Sequence, residues 1–407
     1  MSIRWNRSVR LALILLIAFP VLTGCWDRLE IEDRAVVLGI SIDEAKKLTQ
    51  EQKESQVIET APKTDMVHVA AQIALPGRIP LGPSESGGAN SGSQSTVWVI
   101  DVVGHSIDDA LMNLQQQISG RLFFGHLRVI VVSEKIARKG LENVNDFFRR
   151  NSEVRRMAWL MIAKDNARKL MTAAPKLERV PTLYLIATLD EGIRMGKFPK
   201  DYIGVFWSNS VKKGQEGFLP YVEIRKEENV EVSGLAIFKN SKMVGRTKPL
   251  QIGGYMGIKG TNPAGYRVFV NLGGPEKTVM ATTTHREVKT RISIKNGYPH
   301  FDVSIMLEIN VEEKISDAVM VSGVEALKRV EQDETKTALK VYNETIKMTQ
   351  AKGADIFGFG ELIRAKKPSY WNSKIRTKER WQEMYKEKAA FDFHVTVRAR
   401  RVGMRAK

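Results

Sequence analysis

The sequence predicts an α+β chain with mixed sheets, divided into two or three α/β-type domains, behind an N-terminal segment that is removed. Three observations carry this. Strand-like and helix-like segments alternate over residues 35–175, the pattern of a sheet covered by helices. In the second half, strands come first, helices follow and one strand closes the chain, which is the α+β order. The first 25 residues follow neither pattern and read as a targeting segment.

That segment has three parts. Arg4, Arg7 and Arg10 form a basic start, Leu11 to Phe19 is apolar, and Leu22-Thr23-Gly24-Cys25 offers small residues before a cysteine. Together they read as a secretory signal. A cysteine just after the cleavage point makes it a lipoprotein signal. Cys25, the one cysteine of the chain, becomes an S-diacylglyceryl cysteine open to N-acylation, and residues 1–24 are lost. The apolar stretch to Leu22 includes Pro20 and is shorter than the ~20 residues of a spanning helix.

The remaining elements follow in order. Ala35 to Ile42 is rich in β-branched residues and bounded by Asp43, as in a buried strand. The polar segment 44–64 reads as a loop or hairpin extension, and Met66 to Leu75 as a second strand. Gly, Pro, Ser and Asn crowd residues 76–96, with the 82–96 part a flexible loop by composition. Val97 to Val103 is a strand. Ser106 caps a helix with Asp108 and Asp109 in its first turn, running to Gly120. Strands at Leu127–Val132 and Ala158–Ala163 flank a helical stretch, Ile136 to Arg150, broken at Gly140. Helices follow near Asn166–Met171 and Tyr184–Gly196, then an irregular stretch over 204–217.

An inter-domain connection is expected over 212–220, where Lys, Gly and Pro cluster. It separates an N-terminal α/β region, 25–215, from a C-terminal α+β domain, 221–403. The second opens on a hairpin, Val230–Phe238 with Met243–Arg246, then a strand at Tyr266–Asn271. The dipeptide Asn296-Gly297 joins Val288–Ile294 to Phe301–Val311, since Asn-Gly favours the turn that matches strand twist. Phe301, Val303, Ile305, Leu307, Ile309 and Val311 alternate, so one face of that strand is core. A long helix over Gly323–Ala351, a shorter one over Thr377–Lys388 and a strand at Phe391–Val397 complete the chain.

Composition narrows the function. Hydrophobic content of 43% supports real cores, and a single cysteine rules out an internal disulfide. The formal charge is +17, and +14 once Arg4, Arg7 and Arg10 are lost. A basic, lipid-tethered protein suits an anionic membrane surface, to which its charge adds a second attraction. Export argues against nucleic acid. The six histidines, at 68, 105, 126, 285, 300 and 394, fall in no zinc-like spacing, and no nucleophile elbow or Walker loop occurs. His126 reads as a hydrogen-bonded histidine at a strand edge. Gly358-x-Gly360 lacks the third glycine of a dinucleotide site. Tyr370, Trp371 and Trp381 read as core aromatics. No catalytic, cofactor-binding or metal-binding residue is expected.

Gly24-Cys25-Trp26-Asp27, Glu30-Ile31-Glu32-Asp33 and Val37-Leu38-Gly39-Ile40-Ser41-Ile42-Asp43 stand in series. Later come Phe124-Gly125-His126-Leu127, Ile136-Ala137-Arg138-Lys139-Gly140-Leu141 and Phe147-Phe148-Arg149-Arg150. Asp355-Ile356-Phe357-Gly358-Phe359-Gly360, Trp371 and Trp381 close the series. In that order they resemble the Ger(x)C lipoproteins, the C subunits of spore nutrient germinant receptors. Ser41 departs from the glycine expected there, and segments 44–64 and 82–96 are longer than the family pattern needs.

The resemblance implies a non-catalytic subunit on the outer face of the spore inner membrane. It implies contact with an A subunit, partly membrane-embedded, and a B subunit resembling an amino-acid transporter, in a complex that senses nutrients. It also implies a fold of several mixed α/β domains, which would split 25–215 in two. The alternative is a solute-binding lipoprotein that captures the nutrient itself, for which two α/β lobes around a cleft would be usual. The antiparallel second half fits that poorly.

Overall fold

The computed structural model describes residues 33–45, 66–75, 96–173, 178, 180–226, 229–274, 276–316 and 323–401. The targeting segment with Cys25, most of segment 44–64 and most of loop 82–96 lie outside the described residues. The architecture is α+β with two mixed sheets.

The first sheet is built from β1 (Arg34–Glu44), β2 (Val67–Ala74), β3 (Val97–Gly104), β4 (Arg121–Phe123), β5 (Val129–Ser133) and β6 (Trp159–Ala163). It continues through β7 (Phe218–Ile224), β8 (Val230–Lys239) and β9 (Lys242–Arg246). The strand order is β3-β2-β1-β5-β6-β7-β8-β9, with β4 beside the start of β1. The centre, β1-β5-β6-β7, is parallel, and both flanks are antiparallel. Every residue of β5 and β6 is buried, as parallel strands covered on both faces require. Their alternate side chains feed two cores. Ile130, Val132, Leu160 and Ile162 face one, and Val129, Val131, Trp159 and Met161 face the other.

The first core is closed by α1 (Ile107–Gln115), α2 (Glu134–Lys139), α3 (Glu142–Arg150) and α5 (Ile203–Val211). Ser106 caps α1 as expected, its hydroxyl accepting from Asp109 N at 3.1 Å. The helix ends at Gln115 rather than Gly120. Gly140 separates α2 from α3. The stretch expected to be irregular over 204–217 is mostly helix α5, held because Ile203 and Phe206 are fully buried and Trp207 Nε1 donates to Asn145 Oδ1 at 2.8 Å. Asp43, at the end of β1, accepts from the backbone of Ala167 and Arg168, both at 2.9 Å. It thereby caps the 3-10 turn Ala167–Met171 from across the sheet. Helix α4 (Pro181–Arg194) covers the opposite face.

The connection expected over 212–220 is partly strand, because β7 enters the first sheet at Phe218. The hairpin β8–β9, with Asn240 at φ 55° in its turn, belongs to that sheet as well.

The second sheet has the order β10 (Arg267–Asn271), β11 (Thr278–Lys295), β12 (Tyr298–Lys314) and β13 (Ala390–Arg401). The Asn296-Gly297 turn joins β11 to β12, with both residues at positive φ. The alternation on β12 holds, with Phe301, Val303, Ile305, Leu307 and Ile309 buried and Val311 half-buried. β13 runs parallel to β12. Between them come α7 (Val324–Lys352), α8 (Phe359–Lys366), a helical turn with a π-type end over Pro368–Ile375, and α9 (Lys378–Glu387). Trp371 and Trp381 are both buried, as the sequence suggests.

Helix α6 (Pro249–Lys259) links the sheets and is not foreseen from the sequence. Gly253, Gly254 and Gly257 each cost about 1 kcal/mol in a helix, so propensity hides it. Packing explains them: a Cβ on Gly254 or Gly257 would lie 2.5 Å from Thr345 Oγ1 or from Tyr342 of α7. Ile252, Tyr255, Met256 and Ile258 of α6 belong to one core that runs from the first sheet to the second.

In that core Phe301 of β12 stacks on Phe391 of β13 at 4.9 Å and lies 4.8 Å from Phe359. Phe301→Ala should lower the unfolding free energy by ~3–5 kcal/mol, read as a lower denaturant midpoint for the full chain. A loss below ~1 kcal/mol would mean that the three rings do not hold β13 in place.

Candidate functional site

Asp355 starts the loop between α7 and α8 and is 2% exposed. Its Oδ1 accepts from Phe357 N at 3.0 Å and Gly358 N at 2.8 Å. Its Oδ2 accepts from Gly360 N at 2.9 Å and Trp381 Nε1 at 3.1 Å. One carboxylate therefore organises the whole Asp355–Gly360 motif and ties it to α9. Gly358 sits at φ 77°, which only glycine adopts readily. A Cβ at Gly360 would lie 2.5 Å from Trp381 Nε1 and 2.6 Å from Gly214 Cα. Burial pushes the Asp355 carboxyl up to about 7, against the pull of its donors and of Lys259.

The same loop meets the segment leading into β7. Glu216 N donates to Asp355 O at 2.8 Å, Gly214 N donates to Glu361 Oε1 at 2.8 Å, and Glu361 N donates to Gly214 O at 3.2 Å. Glu216 is 1% exposed and reaches Lys378 Nζ of α9 at 2.9 Å. It also accepts from Gln382 and, at 3.0 Å, from Asn240 N of the β8–β9 turn. Burial raises its pKa, with Lys378 pulling the other way. Residues of the first sheet and of the C-terminal helices thus share one buried polar seam.

A cavity of about 40 Å³ lies between α6, α7 and the second sheet. Gly254, Val268, Leu307 and Tyr342 line it, with Arg286 and Glu334 as its charged members. Glu334 is 4% exposed and its Oε2 has no hydrogen-bond partner. Burial alone pushes its carboxyl up to about 7. Arg286 is also 4% exposed; burial lowers its pKa, and its Nη1 donates to Thr261 O at 2.9 Å. The Tyr342 phenol feels both charges: burial raises its pKa, Arg286 lowers it and Glu334 raises it.

Neither charged residue is singled out by the sequence reading. Glu334 carries a signal, since it lies four residues from both buried Val330 and buried Ala338 on one helix face. Arg286 carries none. Simple alternation after Thr283 would bring His285 inward, but the β11–β12 register shifts between Thr283 and His285. That bulge turns Arg286 inward and leaves His285 exposed.

His300, Asp302 and Asp392 form a grouping that sequence spacing does not reveal, because β13 supplies the third member. His300 Nε2 is 3.0 Å from Asp392 and Nδ1 is 3.5 Å from Asp302. Lys295 Nζ stands 3.2 Å from Nε2 and already supplies a cation there. His126 is exposed, edge-on to Phe123 at 5.9 Å. Cys25, the one site residue expected from sequence, lies outside the described residues.

Two family models match. Spore germination protein N-terminal domain covers residues 27–224, and Spore germination B3/GerAC like, C-terminal, covers 233–403. Spore germination protein KC of Bacillus subtilis (strain 168) is 25% identical over 98% of this chain and 97% of its own length. Spore germination protein GerQC of Bacillus cereus is 24% identical over 79% of this chain and 88% of its own. The crystal structure of the GerBC protein matches with a TM-score of 0.56 at 19% identity, over 88% of this chain and 97% of that one, a likeness of fold.

Two outcomes test the geometry. Asp355→Asn replaces one acceptor oxygen with an amide that opposes two N–H donors, and should cost ~2–4 kcal/mol, measured by denaturant unfolding; a neutral result would remove Asp355 as the organiser of the loop. For Glu334, the folded chain holds the proton more tightly than the unfolded chain, whose ordinary value is 4.5. That stabilisation is complete below about pH 4.5 and is lost as pH rises through about 7. Glu334→Gln should therefore gain about 2–3 kcal/mol relative to the parent between about pH 5 and pH 8. A pH-independent difference between the two would contradict the burial of Glu334.

Proposed function

Because the chain belongs to the GerAC family of spore germination proteins, we propose that it is the C subunit of a nutrient germinant receptor, tethered by lipid at Cys25 to the outer face of the spore inner membrane. The observation that carries this reading is one of position. The family match begins at residue 27, two residues after the Leu22-Thr23-Gly24-Cys25 sequence. A lipid on Cys25 would hold the first sheet close to the membrane plane. The side-chain charge of +14 left after loss of Arg4, Arg7 and Arg10 adds an attraction to anionic headgroups.

The subunit acts by protein–protein contact with the A and B subunits and carries out no catalysis. Two of its buried acids serve structure. Asp355 and Glu216 are spent on backbone and side-chain hydrogen bonds that join parts of the chain. The polar seam around Asp355 and Glu216 joins the first sheet to the C-terminal helices.

Cys25→Ala is the direct test. The variant should leave the membrane fraction of spores, and spores carrying it should lose the nutrient response. Mass spectrometry of the parent's N-terminal peptide should find a diacylglyceryl group on Cys25, with A and B subunits co-purifying from detergent-solubilised spore membranes. A variant that germinates and localises normally would remove the anchoring role.

A further inference from the structure

Residues 362–378 hold six basic side chains and no acidic one. Two of the six are used within the fold: Arg364 pairs with Glu361 at 2.9 Å and Lys378 with Glu216 at 2.9 Å. The other four, Lys366, Lys367, Lys374 and Arg376, are exposed and have no acidic partner among the described residues. Trp371 and Ile375 are buried beneath the π-type turn, so packing holds Lys374 and Arg376 outward. Tyr370 Oη donates to Gly297 O at 2.7 Å and Lys366 Nζ to Thr290 O at 3.4 Å, which lays the stretch against the β11–β12 hairpin near its tip. Ile294 and Tyr298 are exposed at that tip, with Lys388 Nζ 5.3 Å from the Tyr298 ring. Basic side chains beside an exposed aromatic and an aliphatic residue are the composition of a surface that sits at a membrane interface.

The fold also places this stretch. Both of its ends are fastened where β7 begins: Glu361 exchanges hydrogen bonds with Gly214, and Lys378 Nζ donates to Ser210 O at 2.7 Å. β1, β5, β6 and β7 are parallel, so β1 starts at that same end of the first sheet. β1 begins at Arg34, nine residues after Cys25. Nine residues reach at most ~32 Å, and the step from β1 to β7 across the sheet is about 14 Å. A lipid at Cys25 and the basic stretch can therefore meet one plane.

Resting on the reading above that the chain is held at the membrane, we propose that Lys366, Lys367, Lys374 and Arg376, with Ile294 and Tyr298 beside them, form the face that docks on an anionic phospholipid surface. A protein partner would need acids at fixed positions. Four long side chains without acidic neighbours to fix them suit a fluid anionic surface instead. Each basic residue close to such a surface strengthens binding about fivefold. The attraction acts over a Debye length of about 8 Å at physiological salt and about 3 Å at 1 M, so salt releases it.

Vesicle co-sedimentation tests this with the mature chain, residues 25–407, carrying Cys25→Ala so that no lipid holds it. The vesicles are equal parts phosphatidylglycerol and phosphatidylcholine, with pure phosphatidylcholine as the reference. The chain should partition onto the anionic vesicles at about 0.1 M salt, leave them at about 1 M, and bind the neutral ones weakly. Lys366→Gln, Lys367→Gln, Lys374→Gln and Arg376→Gln together should weaken partitioning about a hundredfold or more. Lys366→Gln with Lys367→Gln alone, which leaves the buried turn untouched, should cost about tenfold. Lys328→Gln, Arg329→Gln, Lys336→Gln and Lys340→Gln remove the same charge from exposed positions on α7, near where Glu331 accepts from Ala399 N at the far end of β13. That control should lose less than about tenfold. No binding to anionic vesicles, equal binding to neutral ones, or equal loss in the two fourfold variants would overturn the docking face. Because Ala stands at position 25 throughout, the vesicle result is independent of lipid anchoring in spores, and either reading can fail without the other.

Discussion

The Asp355 carboxylate is the constraint on which the joining of this molecule depends. Four N–H groups converge on its two oxygens, two from the loop it begins, one from Gly360 in the first turn of α8 and one from Trp381 of α9. Each donor would be an unmet buried group without it. The loop so formed is tight enough that Gly214 packs against Gly360 backbone to backbone, and the segment leading into β7 is thereby fixed to the C-terminal helices. A buried carboxylate is an expensive device, and an apolar substitute could not gather four donors.

The seam and the shared core make two layers of the same connection. Polar contacts from Asp355, Glu216 and Lys378 hold it on one side. On the other, Tyr255 of α6 packs between Phe218 of β7 and Phe357 of the Asp355 loop, at 4.8 and 5.4 Å. A junction with both polar and aromatic layers resists hinge motion better than a linker does, since interiors packed to crystal density are not continuously deformable. The charged cavity lies beyond α6 from this junction and shares that helix with it.

Much of this was legible in the sequence where local pattern and final structure agree. β1, β2, β3, β5 and β6, the Asn296-Gly297 turn, the alternation of β12 and the helix α7 follow directly from periodicity and turn chemistry. What escaped reading had non-local causes. Helix α6 is glycine-rich because α7 presses on it, and α5 is helical because its aromatic residues find a core. The strands β7 to β9 look like the start of a new unit, yet β7 pairs with β6 of the old one, and β8 and β9 follow it into that sheet. Arg286 faces inward through one extra residue in a ladder, which no hydropathy pattern records. The Asp355 motif was visible as a resemblance, but its role emerges only from the donors that distant α9 brings to it.

The parallel pairing of β12 with β13 carries a consequence for how the chain matures. His300 pairs with Ala390 and Val311 with Arg401, so a ninety-residue span must be traversed before the first of these bonds can form. Contacts so distant in sequence form slowly, because loop-closure entropy precedes any reward. A chain made from its N-terminus presents β12 with an open edge until its closing stretch arrives. Once in place, β13 becomes the new border of the sheet and carries the exposed Arg398 and Arg400 along it. Like-charged side chains on a border strand discourage further strands from adding, so the element that completes the sheet also limits its growth at that border.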